Sequence, residues 1–123
     1  KPSSAASDVY KRQGLIVLHV QPDIIPPEVT QYIPKKSIAD WYTDQGKTAV
    51  KAAVSKLDKA GINYKLINKV GHVADTILAE AKSSKADMIV MGSHGRSSLM
   101  NLIMGSIATQ VLSQAKQPVL IIK

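Results

Sequence analysis

Short apolar runs alternate along the chain with longer stretches of helical spacing. The run LIVLHV, 15–20, is almost unbroken, which is the pattern of a parallel strand covered on both faces. From Ile38 onward, Trp41, Tyr42, Ala49, Val50, Ala53, Val54, Leu57 and Ala60 keep helical spacing. Ser37 is placed to cap that helix, and Gly61 to stop it in a left-handed conformation. INYKLINKV, 62–70, alternates as a strand nearer an edge of the sheet. Val73, Ala74, Ile77, Leu78 and Ala81 mark a second helix, and MIVMG, 88–92, a second strand buried on both faces. A third helix is predicted over 105–115, with Ile107, Ala108, Val111 and Leu112 inward, and PVLII, 118–122, as the last strand. Strands alternating with helices predict an α/β fold: an open parallel sheet with helices on both faces and right-handed crossovers. Residues 21–36 hold four of the six prolines and read as a loop long enough to lie over a site.

Composition narrows the function classes. With no cysteine there is neither a disulfide framework nor a thiolate zinc site, and His19, His72 and His94 form no H-x-x-x-H pair. No apolar run approaches the ~18 to 20 residues of a membrane span. The formal charge is +7, yet Lys47, Lys51, Lys56 and Lys59 are spread among apolar residues, and the aromatics are Trp41 and four tyrosines. That is the pattern of a solvated helix face, not of a nucleic-acid surface.

Residues 3–13, SSAASDVYKRQ, carry no hydrophobic period and resemble the translation of a transposase adapter used in short-read sequencing libraries. Residues 1–13 are therefore expected to be non-native, and 14–123 a single incomplete domain. Those 110 residues hold 13 basic and 8 acidic side chains, a charge of +5.

The candidate chemistry lies in MGSHGRSSLMNLIMGS, 91–106, between an apolar strand and an apolar helix, with no acidic residue in it. Ligands in open α/β sheets sit beyond the carboxyl ends of strands, where Gly92 falls. Gly92 and Gly95 let backbone amides approach an anion closely, and a helix starting at Gly105 and Ser106 offers free N–H groups and a positive dipole end. Ser97, Ser98 and Ser106 add hydroxyls, and Arg96 a permanent charge. The same glycines also suit a strand end, a turn and a close helix contact, and spacing alone does not separate the two readings. There is no Walker loop and no G-x-G-x-x-G fingerprint.

Gly92-x-x-Gly95, nine residues, then Gly105-Ser106 resembles the G-x-x-G, nine residues, G-[ST] nucleotide motif of the universal stress proteins. LIVLHVQP is similar to their second strand, KADMIVMGSHGR to their fourth strand and loop, and QPVLIIK to their last strand. The resemblance implies the fold shared with the adenine nucleotide alpha hydrolases, ATP bound with or without magnesium, and a cytoplasmic homodimer used under stress that pairs through its C-terminal strand. It implies that Gly92, Gly95, Gly105 and Ser106 hold phosphates and ribose, that Ile107 adds a backbone amide, and that Val20 sits beside the adenine. Ser93, His94 and Arg96 complete the candidate cofactor-binding set. The departure is at the front. Family members begin with a central strand ending in an aspartate that contacts the nucleotide; nothing here matches it, since Asp8 lies in the adapter-like stretch. The first central strand is thus expected to be missing from this chain.

No carboxylate in the loop could position a metal or an attacking water. Asp87 lies at the other end of the strand, while Asp75 and Glu80 are expected to be solvated on the second helix. His94 reads as a solvent-facing loop residue or a phosphate contact, His19 and His72 as structural. The resulting expectation is a nucleotide-responsive switch with weak ATP hydrolysis at most and no catalytic residue, the alternative being a nucleotide-free dimeric interaction module.

Overall fold

The computed structural model describes residues 14–93 and 105–122; the adapter-like stretch and residues 94–104 lie outside them. Among the described residues, four strands and four helices follow in the order β1 (Leu15–Gln21), α1 (Pro27–Thr30), α2 (Lys35–Lys59), β2 (Tyr64–Val70), α3 (Val73–Ser83), β3 (Ile89–Gly92), α4 (Ser106–Gln114) and β4 (Val119–Ile122). The strands form two parallel pairs, β1 with β2 and β3 with β4. The chain is thus an open, parallel α/β protein. Its contacts divide it into two compact units, Lys1–Val70 and Gly71–Lys123.

In the first unit β1 and β2 run in register from Leu15 opposite Tyr64 to Gln21 opposite Val70. α2 packs on this pair with Tyr42, Gly46 and Val50 buried, one residue per helical turn. Trp41, expected in the core beside Tyr42, is 42% exposed and meets the Tyr42 ring edge to face at 5.0 Å. The helix starts one turn earlier than expected. Pro34 is its N-cap in extended conformation, the Ile38 amide donates to the Pro34 carbonyl, and no side chain caps it, so Ser37 lies inside the first turn. The other end is as expected: Gly61 has φ +69°, and the Ile62 amide reaches the Leu57 carbonyl at 3.0 Å.

A polar cluster locks α2 onto this sheet. The Asn68 Nδ2 donates to the Tyr42 carbonyl at 3.2 Å, and Gln21 Nε2 donates to that carbonyl and to Asn68 Oδ1. His19 Nδ1 lies 3.1 Å from the same Oδ1. A Cβ on Gly46 would overlap the side-chain amide of Asn68. Helix propensity favours Gly46→Ala by about 1 kcal/mol, but swinging Asn68 away breaks bonds in a half-buried cluster, where each group left unsatisfied costs about 1–3 kcal/mol. Gly46→Ala is therefore expected to destabilise the protein, and the same change in an Asn68→Ala background to be neutral or stabilising. Denaturant melts of the two single variants and the double variant check this; additive effects would refute the clash.

In the second unit β3 and β4 pair from Ile89 opposite Val119 to Gly92 opposite Ile122. Ala74 and Ala81 of α3, Ile89 and Val111 form the core, with Ile77, Leu78, Met91 and Val119 against it. Both helices therefore cover the Ile89 and Met91 face. Val90, expected to be buried, is 59% exposed with Leu120 and Ile122 on the opposite face, because neither α3 nor α4 covers that face. Ile107 and Leu112, expected inward on α4, are also exposed; Ala108 and Val111 alone fill its inner stripe. Glu80 is a further correction, being buried at 9% exposure, whereas Asp75 is solvated and holds His72 Nδ1 at 3.0 Å.

Candidate functional site

β3 ends at Gly92, and the next residue fixes where the chain goes. The Ser93 amide donates to the Ile122 carbonyl at 2.9 Å, which extends the ladder one step beyond the strand, and Ser93 is buried. Its carbonyl accepts from the Gly105 amide at 2.6 Å. That bond closes the glycine loop at its base, bringing the start of α4 to the carboxyl end of β3. Gly92, Ser93, Gly105, Ser106 and Ile107 are thereby gathered in one place, although eleven residues lie between Ser93 and Gly105.

Gly105 is the N-cap of α4, with φ −64° and ψ 157°, and no side chain caps the helix. Its carbonyl already accepts from the Thr109 amide and hydroxyl, both at 3.0 Å. The amides of Ser106, Ile107 and Ala108 fall in the first turn, where α-helical geometry supplies no partner. A nine-residue helix aligns its peptide dipoles toward them, and the adjacent Ser106 side chain is exposed. Donors of this kind, on a rigid helix end with no carboxylate in its first turn, suit an anion.

The remaining site positions fall elsewhere. His94, Gly95 and Arg96 lie outside the described residues. Val20 is half-buried on β1 in the first unit, opposite Lys69. Among the described residues no three His, Asp or Glu side chains come together as a metal site, and no helix is long and apolar enough to cross a membrane. Sequence reasoning placed Ser93 among the ligand contacts but missed that both its backbone groups are engaged in shaping the loop. Periodicity carries no signal for such a bond.

The profile of the universal stress protein family matches residues 4–123. This chain belongs to the universal stress protein family. It is 31% identical over 81 residues to universal stress protein MJ0577 of Methanocaldococcus jannaschii, covering 66% of this chain and 50% of that protein. To universal stress protein YxiE of Bacillus subtilis it is 30% identical over 132 aligned positions, 100% of this chain and 89% of the relative. The chain thus spans about half the length of MJ0577 and most of YxiE. The solved structure of MJ0577 superposes with a TM-score of 0.75 at 23% identity, covering 98% of this chain and 88% of that one. An Arabidopsis thaliana family member with AMP bound gives 0.61 at 22% identity (98% and 73%), and a universal stress protein in complex with cAMP gives 0.55 at 23% (97% and 77%). These likenesses establish the universal stress protein fold, which is the fold expected from the residues.

Proposed function

We propose that this universal stress protein binds an adenine nucleotide, ATP in the first instance, and uses it as a switch without efficient turnover. The observation that carries the reading is the Gly105 to Ser93 bond, which sets the free amides of α4 at the end of β3 within the G-x-x-G, nine residues, G-S motif. In this proposal the Ile107 and Ala108 amides and the Ser106 hydroxyl receive phosphate, and Gly92 leaves room for it. Gly95, Arg96 and His94 join them from the loop, and Ser93 holds the loop closed. The place of the adenine beside Val20 rests on the family resemblance. The two nucleotide-bound relatives support adenine as the base, and no described carboxylate lies in the first turn of α4 to repel phosphate. Bound nucleotide would change the surface that a partner reads. A cytoplasmic homodimer pairing along β4 belongs to the same reading.

Calorimetric titration of the full chain with ATP and AMP tests it. One saturable site per chain is the expected result, with Ser106→Ala weakening ATP about fivefold to tenfold through a lost hydroxyl contact. Phosphate release is expected well below about 1 per second, the lower end of ordinary enzymes. Heats that never saturate would leave the nucleotide-free interaction module as the function.

A further inference from the structure

The first unit carries a second recess that the nucleotide reading does not use. α2 runs antiparallel to β2: a Cβ on Gly46 would meet Asn68 toward one end of the strand, and Asp58 accepts the Tyr64 hydroxyl at 3.1 Å at the other. Asn68 and Tyr64 thus both face the helix, and Leu66, two residues from each, shares that face. Yet Leu66 is 43% exposed. The helix does not close over it, and a groove of about 540 Å³ remains between α2 and β2, floored by Val50, Val54 and Leu66.

Charge divides the groove along its length. Lys47 and Lys51, one helical turn apart, line the end nearer Asn68, and neither has a carboxylate within ion-pair distance among the described residues. Asp58 and Lys59 line the other end, where their charges offset each other and Asp58 is already engaged by Tyr64. The stretch between is apolar. From Lys51 to Asp58 α2 rises about 10 Å at roughly 1.5 Å per residue, the length of an extended octanoate chain. The volume falls in the range of about 300–1,000 Å³ that small-molecule sites occupy. A bare polyanion would leave the apolar floor wet, and an uncharged molecule would gain nothing from the two ammonium groups.

We propose that this groove binds a small amphipathic monocarboxylate of the medium-chain alkanoate class. Its carboxylate accepts hydrogen bonds from the Nζ groups of Lys47 and Lys51, and its alkyl chain lies over Val50, Val54 and Leu66 toward Asp58. Burial of the chain supplies affinity, because it removes apolar surface of Leu66 and of the ligand from water together. The lysine pair fixes the direction of binding through charge-assisted bonds at one end. The far end has no net charge to offer, so a second carboxylate there gains nothing and loses its own hydration.

The test is calorimetric titration of the full 123-residue chain with sodium octanoate, kept below its micellar range, together with mapping of amide resonances. Acetate, octylammonium and suberate, the dicarboxylate counterpart, serve as controls. Octanoate is expected to bind saturably, at least about tenfold tighter than acetate, which lacks the chain, and to shift the amides of Val50, Val54 and Leu66. Lys47→Gln combined with Lys51→Gln is expected to weaken it at least about fivefold, and arginine at both positions to retain it. Leu66→Ser should weaken it about fivefold as well, while Lys36→Gln, outside the groove, changes it less than about twofold. Thermal melts confirm that each variant is folded. Equal binding of suberate or octylammonium would overturn the proposal, since neither the single charge nor its sign would then matter. So would heats that never saturate, indifference to the groove variants, or resonance shifts centred on the start of α4 or elsewhere outside the groove. Binding to phosphatidylglycerol vesicles without binding of octanoate would mark a lipid surface in place of a small-molecule site.

Discussion

Val111→Asp is expected to unfold the Gly71–Lys123 unit. Val111 is fully buried on α4 against Ala74, Ala81 and Ile89, the side chains through which α3, α4 and β3 meet. The alanines let both helices approach the sheet, so little room is left for water to follow a carboxylate inward. An unpaired buried carboxylate costs several kcal/mol even after relaxation, against a total of about 5–15 kcal/mol for an ordinary domain. Val111→Ala, which removes two methyl groups, should cost about 2 kcal/mol and leave the unit folded. The introduced carboxyl would have its pKa raised in any folded state, because burial disfavours the charged form. Its penalty is therefore fully present above that folded value and shrinks as pH falls toward the unfolded value near ~3.9. Amide exchange and circular dichroism at pH 7 and at mildly acidic pH check both statements. If β3 and β4 amides stay as protected as in the parent chain, Val111 does not hold this unit together.

How far the sequence reveals this molecule depends on whether a feature is periodic. The helical spacing of Ala74, Ile77, Leu78 and Ala81 exposes α3, and unbroken apolar runs expose β1, β3 and β4, because burial repeats along an element. Gly61 announces the end of α2, since glycine adopts positive φ at little cost. The end of α3 uses the same hydrogen-bond pattern, with the Ala86 amide on the Ala81 carbonyl, but places Lys85 at φ 56°, where no residue preference marks it. Contacts between elements are less legible still. Gly46 reads as an ordinary helix residue until Asn68 is seen beneath it, and Ser37 reads as a cap until Pro34 is seen to start the helix. Apolar runs also overstate burial: Val90 and Leu120 have strand composition, yet neither helix of their unit covers them. In the candidate site the glycine and serine spacing is legible because the family motif is local. The bond that makes a site of it joins residues 93 and 105, and only the fold brings those together.

Gly105→Pro separates the two ways in which that glycine can serve the nucleotide. Proline fits the observed φ of −64°, so the helix start itself tolerates the ring, but the variant lacks the N–H that reaches the Ser93 carbonyl. Ser93 is buried, and its carbonyl would lose this partner at a cost of about 1–3 kcal/mol. If closing the loop is what aligns the α4 amides, that loss appears in binding as roughly 5-fold to 150-fold weaker ATP affinity. Gly105→Ala keeps the amide, and its backbone angles suit any residue, so it should bind ATP within about threefold of the parent if the hydrogen bond is what matters. Calorimetric titration of both variants, with melts to show that each is folded, distinguishes the cases. Equal damage from alanine and proline would mean that phosphate lies against the Gly105 Cα, where even a methyl group intrudes. Unchanged affinity in the proline variant would show that nucleotide does not depend on this end of the loop, and the proposed function would lose the observation that carries it.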